Sequence, residues 1–175
     1  MSGPSRLSMP VALDDLLLYR ISRLLAVGGS SIIRLCEGRY GITRREWRVL
    51  ALLAQNEGLQ SSQLALRVQL DRARTSKAVT ALVVKKLLSR NPGEGDRRQA
   101  TLTLTAPGRA LFEELFPQVQ AINQQLLSAL SSEDADRLDE LLDRVQLSAD
   151  AASPGQVELP KADRRRGIRA RSVRG

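Results

Sequence analysis

A chain of 175 residues, 42% apolar and only 3% aromatic, is long enough for one domain whose core must be assembled from Leu, Val, Ile and Ala. With no histidine and a single cysteine, it lacks the commonest general base near neutral pH, the commonest metal ligand and the makings of an intrachain disulfide or an ordinary zinc site, so neither an enzyme nor a bound metal or cofactor is expected. A formal net charge of +8 favours a polyanionic partner, nucleic acid or an anionic surface, while no apolar run approaches the length of about eighteen residues needed to span a membrane.

Residues 1–10, rich in Pro and Ser, predict a loose arm without the charged start and apolar block of a leader. With the lone Cys36, that fits the reducing cytoplasm. Leu13, Leu16, Leu17, Ile21, Leu24 and Leu25 then recur at helical spacing. Gly28 and Gly29 are expected to bend this helix before Ile32, Ile33 and Leu35 resume its pattern. Thr43 followed by Glu46 is a capping box opening a helix with Trp47, Leu50, Leu53 and Ala54 inward, ending near Asn56 and Gly58. Ser61 or Ser62 is expected to cap a short helix over SQLALRV, and Asp71 a longer one running to about Leu88, with Ala78, Val79, Leu82, Val83, Lys86 and Leu87 inward. Alternation in TLTLT, with Asn91, Pro92, Gly93 and Gly95 before it, predicts a two-stranded hairpin with a charged tip. A long apolar-faced helix from about Leu111 to Leu130 follows, with a kink expected at Pro117. A last helix, capped by Ser132, carries Leu138, Leu141, Leu142 and Val145 on one face. The basic, Pro-containing end, residues 148–175, is expected to be a disordered tail.

The placement of charge is more informative than its total. Nine basic residues stand against three acids between Arg67 and Arg98, whereas two arginines stand against nine acids between Ala110 and Asp150. One segment suits phosphates and the other repels them. Three helices, two short turns and a basic hairpin are the parts of a winged helix-turn-helix, and the helix opening at Asp71 has the right first turns for a major groove. Arg72 and Arg74 offer paired donors, Thr75 and Ser76 short hydroxyls, and Lys77 a charge. Arg97 and Arg98 at the hairpin tip suit a narrow groove or its flanking phosphates.

From Gly41 to about Leu111 the chain resembles the MarR family of transcriptional regulators. The resemblance rests on REWRVLALL, on SSQLALRVQLDRARTSKAVTALVVKKLL and, most specifically, on SRNPGEGDRRQATLTLTAPG. Flanking helices match in placement more than in sequence, extending the likeness to residues 11–147. What it implies is a mainly α fold with a two-stranded β wing: a DNA-binding lobe at 43–105 and dimerisation helices at 11–37 and 106–147. The resemblance puts Thr75, Ser76 and Lys77 at base-facing positions with Arg74 at the edge, and pairs Asp96 with Arg98 in the wing, Arg97 between them. It also implies a homodimer reading an inverted repeat in double-stranded DNA, consistent with apolar stripes at both ends of the chain that a domain of this size does not bury alone.

Family members often take small aromatic ligands between the dimerising helices and the DNA-binding lobe. Candidate lining residues are Tyr19, Arg20, Arg23, Arg34, Tyr40, Arg44, Trp47 and Arg48, whose arginines suggest an anionic effector, an aromatic acid or its coenzyme A thioester. Core packing competes for Trp47, and pairing with acids of the last helix competes for Arg20 and Arg23. Cys36 has two readings, an inert buried thiol or a redox sensor. The basic tail has two as well, added phosphate affinity or an idle end. A repressor released by its effector is the expected function, with a sequence-tolerant architectural DNA-binding protein as the alternative.

Overall fold

The computed structural model describes residues 5–68, 70–92 and 100–151. Two compact units divide the chain after Ser128. The first opens with a single 3₁₀ turn, Leu13–Asp15, whose buried Asp15 carboxylate accepts from the backbone N–H groups of Val11 and Ala12. Helix α1 (Leu17–Ile33) follows without interruption. Gly28 and Gly29 therefore do not interrupt it. They let neighbours approach: a Cβ on Gly28 would meet Leu126 Cδ1 at 2.9 Å, and one on Gly29 would meet the Arg44 guanidinium at 2.9 Å. The departure from α geometry comes next, in a π-helical segment, Arg34–Arg39, that buries Cys36.

Helix α2 (Arg44–Gln55) starts at the expected box, Thr43 Oγ1 accepting from Glu46 N and Glu46 Oε2 accepting from Thr43 N at 2.8 Å. Strand β1 (Leu59–Gln60) and helix α3 (Ser61–Arg67) follow. The cap of α3 is Gln60, whose N–H donates to Gln63 Oε1, rather than Ser61 or Ser62. Helix α4 (Arg72–Val84) is capped by Asp71, which accepts from Arg74 N at 2.8 Å. It stops four residues earlier than its apolar pattern suggests, because Lys86 adopts φ +58°, a left-handed conformation that ends helices. Lys86 is consequently exposed rather than inward, and Leu88 opens a strand.

Strands β2 (Leu88–Asn91) and β3 (Thr101–Leu104) pair antiparallel as the wing hairpin requires. Strand β1 adds a third, in the order β1-β3-β2, with Leu59 opposite Leu102. This third strand is absent from the sequence-based expectation: two residues carry no period. Helix α5 (Ala106–Leu127) is capped by Thr105 and runs through Pro117 as one helix. The core joins α2, α3, α4, the sheet and α5 through Val49, Leu50, Leu53, Leu64, Val79, Leu82, Leu102 and Leu115, all fully buried. Trp47 of α2 stacks on Phe112 of α5 at 5.9 Å, and Phe112 on Phe116 at 5.1 Å. Three of the chain's five aromatic residues meet at this one joint.

The second unit contains helix α6 (Ser132–Ala151). Its N-terminal N–H donor finds Ser131, whose Oγ accepts from Asp134 N, one residue before the expected cap. None of its residues is buried; Leu138, Leu141, Leu142 and Val145 all stand exposed. Among the described residues no helix is long and apolar enough to cross a membrane.

Candidate nucleic-acid interface

The N-terminal turns of α4 present Arg72, Arg74, Ser76 and Lys77 to solvent. Ala78, Val79 and Leu82 on the opposite face are buried against α2 and α3. Thr75 belongs with the buried set. It is 1% exposed, and its Oγ1 donates to the Asp71 carbonyl at 3.0 Å. The base-facing role expected for Thr75 is thus corrected to a structural one: its methyl completes the i, i+3, i+4, i+7 inner stripe and its hydroxyl bonds back to the preceding turn. Arg74 Nε lies 3.1 Å from Asp71 Oδ2, with both side chains about half exposed. Such a pair is worth about 0.2–1 kcal/mol, less than the 1.5–3 kcal/mol or so of a hydrogen bond to a charged partner. Asp71 therefore holds Arg74 ready rather than disabling it. Asp96, Arg97 and Arg98 lie outside the described residues; the arms of their hairpin are β2 and β3.

Two features of this face have no local sequence signal. The Arg90 guanidinium of β2 donates to Thr80 Oγ1 of α4 at 3.3 Å, tying the wing to the exposed helix. Lys85, just past the end of α4, donates its Nζ at 2.7 Å both to Glu46 Oε2 and to the Gly41 carbonyl. Glu46 is 5% exposed. Its charge is thereby neutralised beneath the surface, and the far end of α4 is pinned to the start of α2.

The pattern of exposure, an amphipathic helix with a cationic outer face beside a two-armed wing, agrees with what the chain resembles. Residues 40–99, which include α2, α3, α4 and β2, match the family model described as MarR family. A putative transcriptional regulatory protein for the hcr operon of Thauera aromatica is 31% identical over 117 residues, spanning 67% of this chain and 70% of that one. The chain belongs to the MarR family. The homoprotocatechuate degradative operon repressor of Escherichia coli is 25% identical over 105 residues, 60% of this chain and 71% of that one. Among solved structures, a MarR/EmrR family transcriptional regulator from Acinetobacter sp. ADP1 superposes with a TM-score of 0.74 at 23% identity, covering 81% of this chain and 99% of that one. As a MarR-family protein this chain is a DNA-binding transcriptional regulator with a winged-helix fold.

The eight residues expected to line an effector pocket are not gathered in one cavity of the subunit. Arg20 and Arg23 lie with Leu24 and Val27 along one groove of α1. Arg34 lies with Leu35 and Ile122 in a second. Trp47 and Arg48 share a third with Arg67 and Val68, between α2 and α3. Tyr19 is half-buried on α1. Arg44 packs on Gly29, and the Tyr40 hydroxyl donates to Glu114 Oε1 of α5 at 2.9 Å and accepts from Gln118. Trp47 itself is 7% exposed within the aromatic stack, a packing role. Arg23 pairs with Asp14, 2.9 Å away and nine residues earlier.

Cys36 is fully buried. Burial, aided by the neighbouring Glu37 carboxylate, pushes its thiol from 9.0 up to about 11. At neutral pH it is protonated, the opposite of what a peroxide-reactive thiolate needs. The folded value lies above the ordinary one, so the contribution to stability is complete below pH 9 and is lost as pH rises from 9 through about 11. The urea midpoint of the protein is expected to fall more steeply across that interval than that of Cys36→Ala. Micromolar peroxide at pH 7 is expected to leave DNA affinity unchanged.

Proposed function

We propose that this MarR-family protein acts as a homodimeric repressor, placing α4 of each copy in successive major grooves of an inverted-repeat operator and releasing it when an anionic aromatic effector binds. The observation that carries the DNA part is the outward set on α4. Arg72, Arg74, Ser76 and Lys77 are exposed on a helix whose opposite face is locked in the core, and among the described residues its cationic surface has no acidic partner beyond Asp71. Ser76 and Lys77 reach base edges, Arg72 and Arg74 reach phosphates or guanine, and the wing arginines Arg97 and Arg98, with Asp96 orienting Arg98, reach the flanking minor groove.

A second copy is favoured by apolar surface that the single chain leaves in water. Leu17, Leu18, Leu24, Leu25 and Val27 of α1 are exposed, as are Leu138, Leu141, Leu142 and Val145 of α6. At about 25 cal/mol per Å² such stripes gain substantially by association. The effector class draws support from the E. coli relative, named for a homoprotocatechuate degradative operon, and from the arginines along α1 and α2. Because five of the eight candidate residues, Arg20, Arg23, Arg34, Trp47 and Arg48, are spread over three separate grooves of one subunit, the effector site is proposed to close only when a second copy supplies another wall.

The test is a titration of purified protein into duplexes from the DNA flanking its gene, with and without aromatic carboxylates and their coenzyme A thioesters. A two-to-one complex that prefers one duplex over random DNA by about a thousandfold, and dissociates with one of these ligands, is the expected result. Equal affinity for every duplex, unmoved by any ligand, would favour an architectural protein instead.

A further inference from the structure

A cleft runs between the start of α2 and the flank of α4 that faces it. Arg45, Arg74 and Lys77 line its walls, with Ala78 and Ala81 beneath them. Glu46 also borders it, but its carboxylate is committed to Lys85 Nζ at 2.7 Å and to Thr43 N at 2.8 Å, and stands 5% exposed. Asp71 offsets part of Arg74. What faces solvent is thus an excess of positive charge gathered from two helices around a small, non-obstructing floor. Arg45 has no acidic partner among the described residues. Its neighbours along α2 account for their own positions: Arg44 packs on Gly29, while Glu46 and Trp47 are buried.

We infer that Arg45, with Lys77 and Arg74, forms a phosphodiester-binding site, so that α2 grips the DNA backbone beside the groove that α4 enters. This rests on the placement of α4 proposed above and adds to it a contact from a helix outside the helix-turn-helix. Physically the site divides labour: alanines at 78 and 81 leave room for a phosphate oxygen to come close, Arg45 offers a forked donor set that matches it, and Lys77 stands where the groove begins. A contact of this kind carries no sequence information and fixes the register in which α4 sits.

The experiment measures DNA affinity by fluorescence anisotropy over a range of KCl concentrations, on the preferred duplex and on a scrambled one. Because each copy of the dimer loses one contact, Arg45→Ala is expected to weaken binding to both duplexes by a similar factor, at least about tenfold, and to reduce the slope of log K against log[salt] by about 1.8, one phosphate contact at about 0.9 from each copy. Arg45→Lys, which keeps the charge, is expected to keep the slope. Arg39→Ala removes the same charge from a residue already engaged with Glu114 and Gln118 of α5 and is expected to leave it at the wild-type value. An unchanged slope for Arg45→Ala, or equal losses for Arg45→Ala and Arg39→Ala, would overturn the site while leaving the role of α4 intact. Strong competition by millimolar inorganic phosphate at constant ionic strength, lost in Arg45→Ala, would assign the cleft to a free anion and overturn it too. Failure of the unsubstituted protein to bind any duplex would instead defeat the placement of α4 itself.

Discussion

Gly108→Ala is expected to destabilise the winged lobe by about 3 kcal/mol, a large fraction of the roughly 5–15 kcal/mol that holds a domain folded. A Cβ at this position would overlap the Leu87 carbonyl oxygen and sit 3.0 Å from its carbon. Both are backbone atoms, which cannot swing aside as a side chain would. Nor is the neighbourhood free to relax. Thr105 Oγ1 donates to the Lys86 carbonyl at 2.7 Å and accepts from Gly108 N at 3.1 Å, while Thr105 N donates to the Leu87 carbonyl. One threonine thus caps α5 and holds the left-handed turn at Lys86 that closes α4. Adding a methyl group separates the two helices at the point where the wing begins. Gly38→Ala, where a Cβ meets nothing within 4 Å, is the matched control and is expected to be neutral. Urea unfolding followed by circular dichroism distinguishes the two; a Gly108→Ala midpoint equal to wild type would show that the α4–β2 turn is not the rigid joint described.

The second large effect is expected at Lys77 and Ser76. Each is exposed on the outer face of α4, so truncation removes nothing from the core and the thermal midpoint is expected to stay within a degree or two of wild type. Loss of a base-edge contact is worth about 1–3 kcal/mol of discrimination. Lys77→Ala and Ser76→Ala are therefore expected to weaken the preferred duplex roughly ten- to a hundredfold, and random DNA much less. Lys77, which also lines the phosphate cleft, is expected to lose some random-DNA affinity as well; Ser76 is not. Thr75→Val separates this face from the one behind it. It keeps the buried shape, removes the hydroxyl bond to Asp71, and is expected to cost about 1 kcal/mol of stability with the folded fraction binding DNA as before. If Thr75→Val impaired binding at full folding while Ser76→Ala did not, the assignment of the two faces of α4 would be reversed.

The parts of this fold that were legible in sequence are those written within a few residues. The Thr43–Glu46 box, the Asp71 cap and the alternation of TLTLT each appear where expected, because cap and pleat are local geometries. What failed was non-local or rare. Strand β1 is two residues long and exists through its pairing with β3. Lys86 takes a left-handed conformation that favours glycine, so nothing in its identity announces the end of α4. Lys85 and Glu46 are 39 residues apart and meet through the packing of α2 on α4. Thr75 is a different case: its spacing from Ala78, Val79 and Leu82 already placed it on the inner face, a signal outweighed by the family resemblance. Arg45 offered no such clue, since a helical pattern separates inside from outside and says nothing of which outer surface meets another helix. The effector candidates share residue type and approximate place in the chain, neither of which fixes the surface a side chain lines, and five of them fall on three separate grooves of one subunit.

Hydroxyl-radical footprinting of the protein on its preferred duplex tests most directly whether two copies of α4 enter one face of the DNA. Two protected patches related by a dyad, their centres about one helical turn or 34 Å apart, with Ser76→Ala weakening both, are the expected result. A single patch, or uniform protection along the duplex, would contradict paired insertion of this helix.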